Sequence, residues 1–320
     1  MGELIEVPAD YVRERYLGSS DIAAILGISP WKTRLQIYEA KTQPREIEDK
    51  PGKRRLFNRG KRWEAVVGDM LHEKLQADGH KVEILSTNHR YVDPDIPFFA
   101  SEIDYEIRLD DIPDIVNVEI KTVSPFAKGE WGDEELSDQV PLHYAAQAAF
   151  ALGVTRRNCS IVAALFGADY LQTYLITRDE ETIQGMRQQA ELFWENHVIP
   201  RIPPEPVNVA DVDRLFKKES DTIAIVTPEI EEALRRYRAC DAEIEARTAE
   251  LTLHEFTIKR FMRDATLLRF PEDDKNVATW KGQKTMRLNM EAFKAAYPKL
   301  YKEFSKESQS RPFRVNKSAL

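Results

Sequence analysis

The stretch IVNVEIKTV, residues 115–123, gives the strongest indication of how this chain folds. β-Branched and other apolar residues alternate in it with polar ones, as in a strand with one buried face. The alternation puts Glu119 and Lys121 on the same side of the strand, about 7 Å apart, with the carbonyl of Ile120 near the edge of that surface. The stretch therefore predicts a strand that presents a carboxylate and an ammonium on one face.

This pair of side chains suits metal-assisted hydrolysis of a phosphodiester. Glu119 can hold a hard divalent cation, and Lys121 can position an attacking water or neutralise charge that develops on a phosphate. A single Glu-x-Lys pattern on a strand is more often an exposed ion pair. The interpretation therefore depends on the residues that accompany it.

The periodicity on either side of this strand predicts an α/β fold. Helices are expected near residues 19–27, 34–42, 56–79, 141–153 and 179–198, and further strands at 81–86, 98–109, 160–167 and 170–177. The order is helices, three strands, a helix, two strands and a helix. That order is typical of a central mixed sheet flanked by helices.

The stretch PRIPPEP, residues 200–206, contains four prolines and predicts a break in regular structure. We therefore expect one domain over residues 1–206 and a mainly helical accessory region over 207–320. In the accessory region the pattern predicts a long charged helix or helical pair over 227–265 and a β-hairpin over 277–290 that turns at Gly282. A further helix with a short tail is expected over 291–315.

Other carboxylates are expected to join Glu119. Asp104 lies on the preceding strand, which a hairpin brings beside Glu119, and Glu64 lies one turn into the helix that precedes the sheet. Three acidic groups in one place repel one another unless a cation neutralises them. Alternation also puts Glu102 on the face of Asp104, so either or both of these acids could approach the metal.

The composition is that of a globular protein. Of the 320 residues 42% are hydrophobic and 31% charged, and the apolar runs are too short to cross a bilayer. The N-terminus lacks a basic segment followed by an apolar one, so we expect a cytoplasmic protein that does not bind membranes. The two cysteines, Cys159 and Cys240, are too few for a disulfide framework, a structural zinc site or an iron–sulfur cluster.

The charge is distributed unevenly along the chain. The net charge of −8 argues against a nonspecific nucleic-acid binder, whose affinity comes from cations that contact phosphates. The stretch KRRLFNRGKRW, residues 53–63, nevertheless concentrates cations just before Glu64, and Arg59, Lys61 and Arg62 are candidates for contacts with DNA. The alternative is a solvated start of a helix.

Several motifs together resemble one known family. GSSDIAAILGISPWKT (18–33), RGKRWEAVV (59–67), VEIKTVSP (118–125) and HYAAQAAFALGV (143–154) occur in the order of the N-terminal signature, the catalytic helix, the Glu-x-Lys strand and the glutamine helix of the YqaJ-like viral recombinases, relatives of lambda exonuclease. The glutamine here is Gln147. In the second half, VATWKGQ and SRPFRV look like the tail of longer phage exonucleases.

The resemblance implies a PD-(D/E)XK, restriction-endonuclease-like core and a magnesium-dependent site in which Mn²⁺ can substitute. It implies an exonuclease that processively digests one strand of linear duplex DNA in the 5′→3′ direction. The exposed 3′ strand would pass to a single-strand annealing protein, and the family's processive members form rings, commonly of three copies. By the same resemblance Glu64, Asp104, Glu119 and the carbonyl of Ile120 bind the metal, Lys121 assists the water, and Gln147 orients it or contacts the scissile strand.

The resemblance also implies a phosphate site near the N-terminus. In VRERYLGSSD, residues 12–21, Arg13 and Ser20 match the spacing of the family's arginine and serine that bind a terminal phosphate. A guanidinium and a hydroxyl at the start of a helix form a suitable anion site. The alternative for Ser20 and Asp21 is simple helix capping.

The sequence departs from the family at one point. The family's aspartate usually follows an Ala-Ser-x-Asp-Gly pattern, whereas residues 100–105 read Ala-Ser-Glu-Ile-Asp-Tyr. We prefer Asp104 as the ligand, because an aspartate followed by an apolar strand is the more usual form, and Glu102 is the alternate. The remaining alternatives are another PD-(D/E)XK endonuclease and an inactive DNA-binding or scaffold module, and the intact set of acids and lysine disfavours the inactive one.

Overall fold

A computed structural model describes residues 5–6, 12–43, 51–272, 275–307 and 310–316, with the backbone alone for residues 5–6 and 51–58. The chain divides into two compact units, Met1–Val212 and Asp213–Leu320. The domain boundary predicted from the prolines was after residue 206. No helix in the described ranges has the length and apolar character needed to cross a membrane.

The N-terminal unit is built on a seven-stranded sheet. Its strands are β1 (Ile5–Glu6), β2 (Leu17–Gly18), β3 (Val82–Val92), β4 (Phe99–Leu109), β5 (Ile112–Val123), β6 (Cys159–Phe166) and β7 (Tyr170–Thr177). The order across the sheet is β1-β3-β4-β5-β6-β7, and β2 pairs with β4. The β5–β6 and β2–β4 pairs are parallel and the others antiparallel, so the sheet is mixed.

Helices flank this sheet. They are α1 (Ser19–Ile25), α2 (Arg34–Thr42), α3 (Pro51–Ala77), α4 (Leu142–Thr155), α5 (Glu180–Phe193) and α6 (Val209–Leu215), the last extending just past the unit boundary. The predicted α/β class, with a central mixed sheet flanked by helices, is confirmed. The two-residue strands and α6 were not predicted, because such short segments carry too little periodicity.

Apolar side chains of α3 pack against one face of the sheet. Val67, Leu71 and Leu75 form a buried cluster there with residues of β4, β5 and β6, among them Val118 and Ile120. Side chains alternate along a strand. The residue before Val118, the residue between Val118 and Ile120 and the residue after Ile120 therefore face the opposite side of the sheet, toward α4. The polar residues of β5 therefore lie on the face that α4 covers.

A glycine allows α3 to approach β4 closely. A Cβ atom at Gly68 would overlap the ring of Tyr105 on β4. Glu64 lies one turn earlier on the same side of α3, since residues four apart in a helix are neighbours. The close contact therefore directs Glu64 toward the part of the sheet that holds Asp104.

The C-terminal unit contains α7 (Pro228–Met262), β8 (Leu267–Arg269), β9 (Asn276–Thr279), α8 (Met290–Ala296) and α9 (Pro298–Phe304). The unit is mainly helical and contains an antiparallel pair of strands, as predicted, but the predicted position of the hairpin is wrong. Strand β9 pairs with β8, which precedes it, and the residues around Gly282 form no strand. The prediction of a single helix over 291–315 is also wrong. The segment contains two helices, α8 and α9, and the second begins at Pro298, whose ring does not allow a helix to continue through it from the preceding residues.

Candidate metal-binding and catalytic site

The pairing of β4 with β5 brings two acidic side chains together. Tyr105 pairs with Val118 and Glu106 with Asn117, and the same register continues to Asp104 beside Glu119. The backbone N–H of Ile120 donates a hydrogen bond of 2.7 Å to Asp104 Oδ2. Asp104 and Glu119 therefore lie side by side at the edge of the β4–β5 pair.

Lys121 and Gln147 complete a hydrogen-bonded group around Glu119. The ammonium of Lys121 contacts Glu119 Oε1 and donates to Gln147 Oε1 at 3.2 Å. Gln147 Nε2 donates to the same oxygen of Glu119. The ring of Tyr144, one turn before Gln147 on α4, lies 5.1 Å from Lys121 Nζ, within range of a cation–π interaction. A helix and a strand thus hold one carboxylate oxygen from two sides.

The acidic pair has perturbed protonation. Burial raises the pKa of Asp104 well above its ordinary value, and the negative charge of Glu119 raises it further. Lys121 and the N–H of Ile120 oppose this shift without cancelling it. Burial lowers the pKa of Lys121, but Glu119 and Asp104 outweigh burial and leave that pKa raised. Asp104 is therefore a carboxyl group that lacks enough positive charge around it.

Glu64 and Glu102 lie at the margin of this group. Burial raises the pKa of Glu64, the charges of Glu102 and Glu119 add to the rise, and Lys61 opposes it. Glu102 is paired with Arg90 at 2.6 Å, and 40% of its side chain is exposed. The structure thus brings both candidate acids of β4 near Glu64, but Glu102 already has a cationic partner.

The donor set fits a hard divalent cation. Carboxylates and a backbone carbonyl are the ligands that Mg²⁺ and Mn²⁺ prefer, and a cation would offset the repulsion that raises the pKa of Asp104. Glu64, Asp104 and Glu119 are spaced more widely than a formed metal shell. In the described part of the chain only His80, Asp110 and Asp111 bring three such ligand atoms within 4.8 Å of one another, and they are mostly exposed.

The two residues of the predicted phosphate site also meet. Arg13 Nη2 donates to Ser20 Oγ at 3.1 Å and lies 2.7 Å from Asp21 Oδ2. Asp21 accepts a hydrogen bond from the N–H of Gly18, so Gly18 rather than a serine occupies the cap position of α1. Helix capping, the alternative interpretation, therefore holds for Asp21 but not for Ser20, whose Oγ accepts a hydrogen bond from the guanidinium instead.

A buried lysine that the sequence did not indicate joins this phosphate-site cluster. Lys41 Nζ lies 3.0 Å from Asp21 and donates to the carbonyl of Arg13 at 2.9 Å. Burial lowers the pKa of Lys41 to about 8. Burial raises the pKa of Asp21, but Arg13 and Lys41 outweigh it, so the net pKa is lowered. Two cations thus share one buried carboxylate, which leaves the cluster positive.

The basic run before Glu64 is exposed where its side chains are described. Arg59, Lys61 and Arg62 all lie on the solvent side of α3. The side chains of the earlier cations of the run lie outside the described residues. Lys61 is close enough to Glu64 to lower its pKa, so the run adjoins the acidic group.

Comparisons with known proteins agree with the motifs. Residues 10–158 match the model of the YqaJ-like viral recombinase domain. The uncharacterized protein YqaJ of Bacillus subtilis strain 168 is 24% identical over 311 residues, which is 95% of this chain and 92% of that protein.

Solved structures of an alkaline exonuclease from Laribacter hongkongensis, LHK-Exo, are also similar. One is 14% identical with a TM-score of 0.42 and covers 59% of this chain and 91% of the other. Its complex with dAMP is 14% identical with a TM-score of 0.43 and covers 63% and 94%. The family resemblance of the motifs is confirmed by the match to the model of the YqaJ-like viral recombinase domain, which covers residues 10–158 and with them every predicted site residue.

Proposed function

We propose that this chain is a metal-dependent deoxyribonuclease that digests one strand of linear duplex DNA from its 5′ end. The product would be a 3′ single-stranded overhang for phage-type recombination by strand annealing. The observation that carries the proposal is the group formed by Asp104, Glu119, Lys121 and Gln147, in which a lysine and an amide converge on a carboxylate beside a second acid. The family match supports the same reaction class.

The metal would be Mg²⁺, for which Mn²⁺ can substitute. Asp104, Glu119, Glu64 and the carbonyl of Ile120 would hold it, with Glu102 as the alternate carboxylate. When bound, the cation would lower the pKa of a coordinated water and neutralise charge on the scissile phosphate.

Lys121 and Gln147 would act directly on the reacting groups. The ammonium of Lys121 would place a positive charge beside the phosphate, where negative charge develops as the water attacks. Gln147 holds the same oxygen of Glu119 that Lys121 contacts, so its amide would fix the lysine and orient the water. The ring of Tyr144 would exclude water from one side of the ammonium.

The cluster of Arg13, Ser20, Asp21 and Lys41 would bind the 5′-terminal phosphate. A guanidinium and a hydroxyl lie together at the start of α1, where backbone N–H groups favour an anion. Asp21 fixes the two cations, which outnumber it. The exposed Arg59, Lys61 and Arg62 would contact the phosphates of the duplex.

The proposed partners are duplex DNA ends and a single-strand annealing protein that receives the exposed 3′ strand. A closed ring of three copies would concentrate these cations around DNA in a chain whose net charge is −8.

The test is digestion of linear duplex DNA labelled separately at its 5′ and 3′ ends, with Mg²⁺ or EDTA. Wild type is compared with Lys121→Ala and with a matched control, Lys74→Ala. The control removes a lysine of α3 that pairs with Asp78. We expect Mg²⁺-dependent release of the 5′ label by wild type and Lys74→Ala, and none by Lys121→Ala although it still binds DNA.

Other outcomes would replace the proposal. Cutting of closed circular duplex would indicate an endonuclease. DNA binding without digestion in any divalent metal would indicate a binding or scaffold module. Release of the 3′ label first would reverse the proposed polarity.

A further inference from the structure

Trp31 is an exposed aromatic residue in the loop between α1 and α2. Although 65% of the residue is exposed, its indole does not project alone. The centre of its ring lies 4.6 Å from that of His143, edge to face, and 5.9 Å from that of Tyr144. Both of these partners lie in the first turn of α4. The loop thus presents a braced indole to solvent, whereas an aromatic ring that serves only the core is mostly buried.

Hydrogen bonds fix the loop that carries Trp31. Ser29 Oγ accepts from the backbone N–H groups of Trp31 and of Lys32, each at 3.2 Å. Thr33 caps the start of α2, and its hydroxyl donates to Asp211 Oδ1 at 2.9 Å. A side chain that is positioned before a ligand arrives loses little conformational entropy on binding it. The loop therefore has the order that a binding surface requires.

Packing alone does not account for the arrangement of Trp31 and His143. The Nε2 atom of His143 is buried and has no hydrogen-bond partner in the ranges that the structure describes. A buried polar atom without a partner destabilises the folded state. Local costs of this kind are characteristic of functional sites, where the arrangement serves a ligand as well as the fold.

Trp31 lies between the two charged sites of the N-terminal unit. On one side the ring of Tyr144 connects it to the candidate catalytic site, because Lys121 Nζ lies 5.1 Å from the centre of that ring. On the other side Lys32 lies near the phosphate-site cluster. Burial lowers the pKa of Lys41 in that cluster to about 8, and the charge of Lys32 contributes to the shift. A strand that contacts both sites would therefore pass the indole.

We propose that Trp31 is a stacking surface for an unpaired base of the strand held at Lys121, an inference that rests on the nuclease function proposed above. An indole offers a flat apolar face to any base, so stacking holds the strand without reading its sequence. The exposed Lys32, next to the ring, contacts the adjoining phosphate. The stacked base offsets part of the cost of unpairing the end of the duplex. Trp31 is thus a positioning residue for the strand that is digested.

The test is equilibrium binding in EDTA of duplexes that carry a short unpaired, phosphorylated 5′ end. Each unpaired nucleotide is replaced in turn by one that lacks a base. At one position the missing base should weaken binding by wild type about tenfold, the size expected for a base stacked on an aromatic ring. Trp31→Ala should bind the intact DNA about tenfold more weakly than wild type and should be insensitive to the missing base at that position.

Two further variants act as controls. Trp31→Phe keeps an aromatic ring and should keep the sensitivity to the missing base. Trp280→Ala removes a partly exposed indole of the C-terminal unit, which lies beside Lys259, and should bind every DNA as wild type does. Binding by Trp31→Ala that equals wild type, or an unchanged sensitivity of this variant to every missing base, would overturn the proposal.

Digestion of the same DNA in Mg²⁺ separates this inference from the proposed function. Trp31→Ala should raise KM about tenfold and leave kcat within about threefold of wild type, because stacking stabilises the bound strand before and during the reaction alike. Digestion by wild type with no effect of a missing base that depends on Trp31 would overturn the stacking site alone. Such an effect in a wild type that digests no DNA would support the stacking site and overturn the nuclease function.

Discussion

Two pairs of polar residues lie side by side on one face of β4 and β5, and the acids of the two pairs have contrasting surroundings. Asp104 adjoins Glu119, and two residues further along β4, Glu106 pairs with Asn117. Both acids of β4 face α4, because residues two apart on a strand share a face. The difference between them therefore comes from their surroundings and not from their strand.

Glu106 is fully supplied with partners. Arg157 forms a buried ion pair with it, Tyr91 Oη donates to it at 2.8 Å, and Ser86 donates to its other oxygen. Arg157 also donates to Asn117 at 2.6 Å. Burial raises the pKa of Glu106, but the hydrogen bonds and Arg157 outweigh it, so the net pKa is lowered.

Asp104 receives one backbone hydrogen bond and stands beside a second carboxylate. Its pKa is shifted upward, the opposite direction from Glu106. A buried acid that serves the fold is surrounded by donors and cations, whereas an acid beside other acids costs stability and marks a functional site. The contrast separates a structural carboxylate from a candidate metal ligand on a single strand.

Among substitutions of these acids, the largest expected effect is the loss of activity on replacing Asp104. Asp104→Asn should lower kcat/KM for DNA digestion by about a thousandfold, because it removes a carboxylate proposed to hold the metal. Its free energy of unfolding at pH 7 should equal or exceed that of wild type, since the substitution removes acidic repulsion. Steady-state digestion and chemical denaturation check both parts, and a large loss of stability would mean that Asp104 is structural.

Glu106→Gln should show the reverse pattern. The substitution leaves the guanidinium of Arg157 buried without its counter-charge, so the free energy of unfolding should fall by about 3–5 kcal/mol. Urea titration measures the loss. In the fraction that remains folded, kcat/KM should stay within tenfold of wild type. A stable variant with no activity would contradict the structural role.

The two acids should also respond to pH in opposite directions. The pKa of Glu106 in the folded state lies below its ordinary value of 4.5, so the stability that it contributes is present above that value and is lost as pH falls through the folded pKa. The pKa of Asp104 lies above its ordinary value of 3.8, so the folded state holds its proton longer, and stability falls as pH rises from 3.8 through the raised pKa.

Denaturation in EDTA of wild type, Asp104→Asn and Glu106→Gln across this acidic range measures both slopes. The stability advantage of Asp104→Asn should grow as pH rises, and the deficit of Glu106→Gln should shrink as pH falls. Parallel curves for all three proteins would contradict the assigned directions.

The smallest effect is expected at Glu102, the alternate carboxylate. Because Glu102 is partly exposed and already paired with Arg90, Glu102→Gln should change kcat/KM by less than about tenfold. The same digestion assay decides between the two acids of β4. A loss as large as that of Asp104→Asn would make Glu102 the main ligand.

The local part of this arrangement was predictable from the sequence. Strand alternation alone put Glu119 and Lys121 on one face, and a hairpin between consecutive strands brought Asp104 to Glu119. The partners that distinguish the acids were not predictable. Arg157 and Lys41 reach Glu106 and Asp21 from other elements, and periodicity carries no information about such contacts between distant parts of the chain.

Turn signals were less reliable than periodicity. Gly282 between short polar and apolar runs favoured a hairpin, yet β9 pairs with β8, which precedes it. Both strands are short and their propensity is weak, so contacts within the C-terminal unit decide the pairing. The long periodic segments of the N-terminal unit contain enough apolar positions to fix their own type.

Titration calorimetry of Mn²⁺ binding to the protein tests whether the acidic group on β4 and β5 is a metal site. Wild type should bind the ion, Glu106→Gln should bind it while folded, and His80→Ala should bind it because the exposed His80 cluster is a separate group. Asp104→Asn should lose this binding. Undiminished binding by Asp104→Asn together with its loss in His80→Ala would place the metal elsewhere and contradict the account.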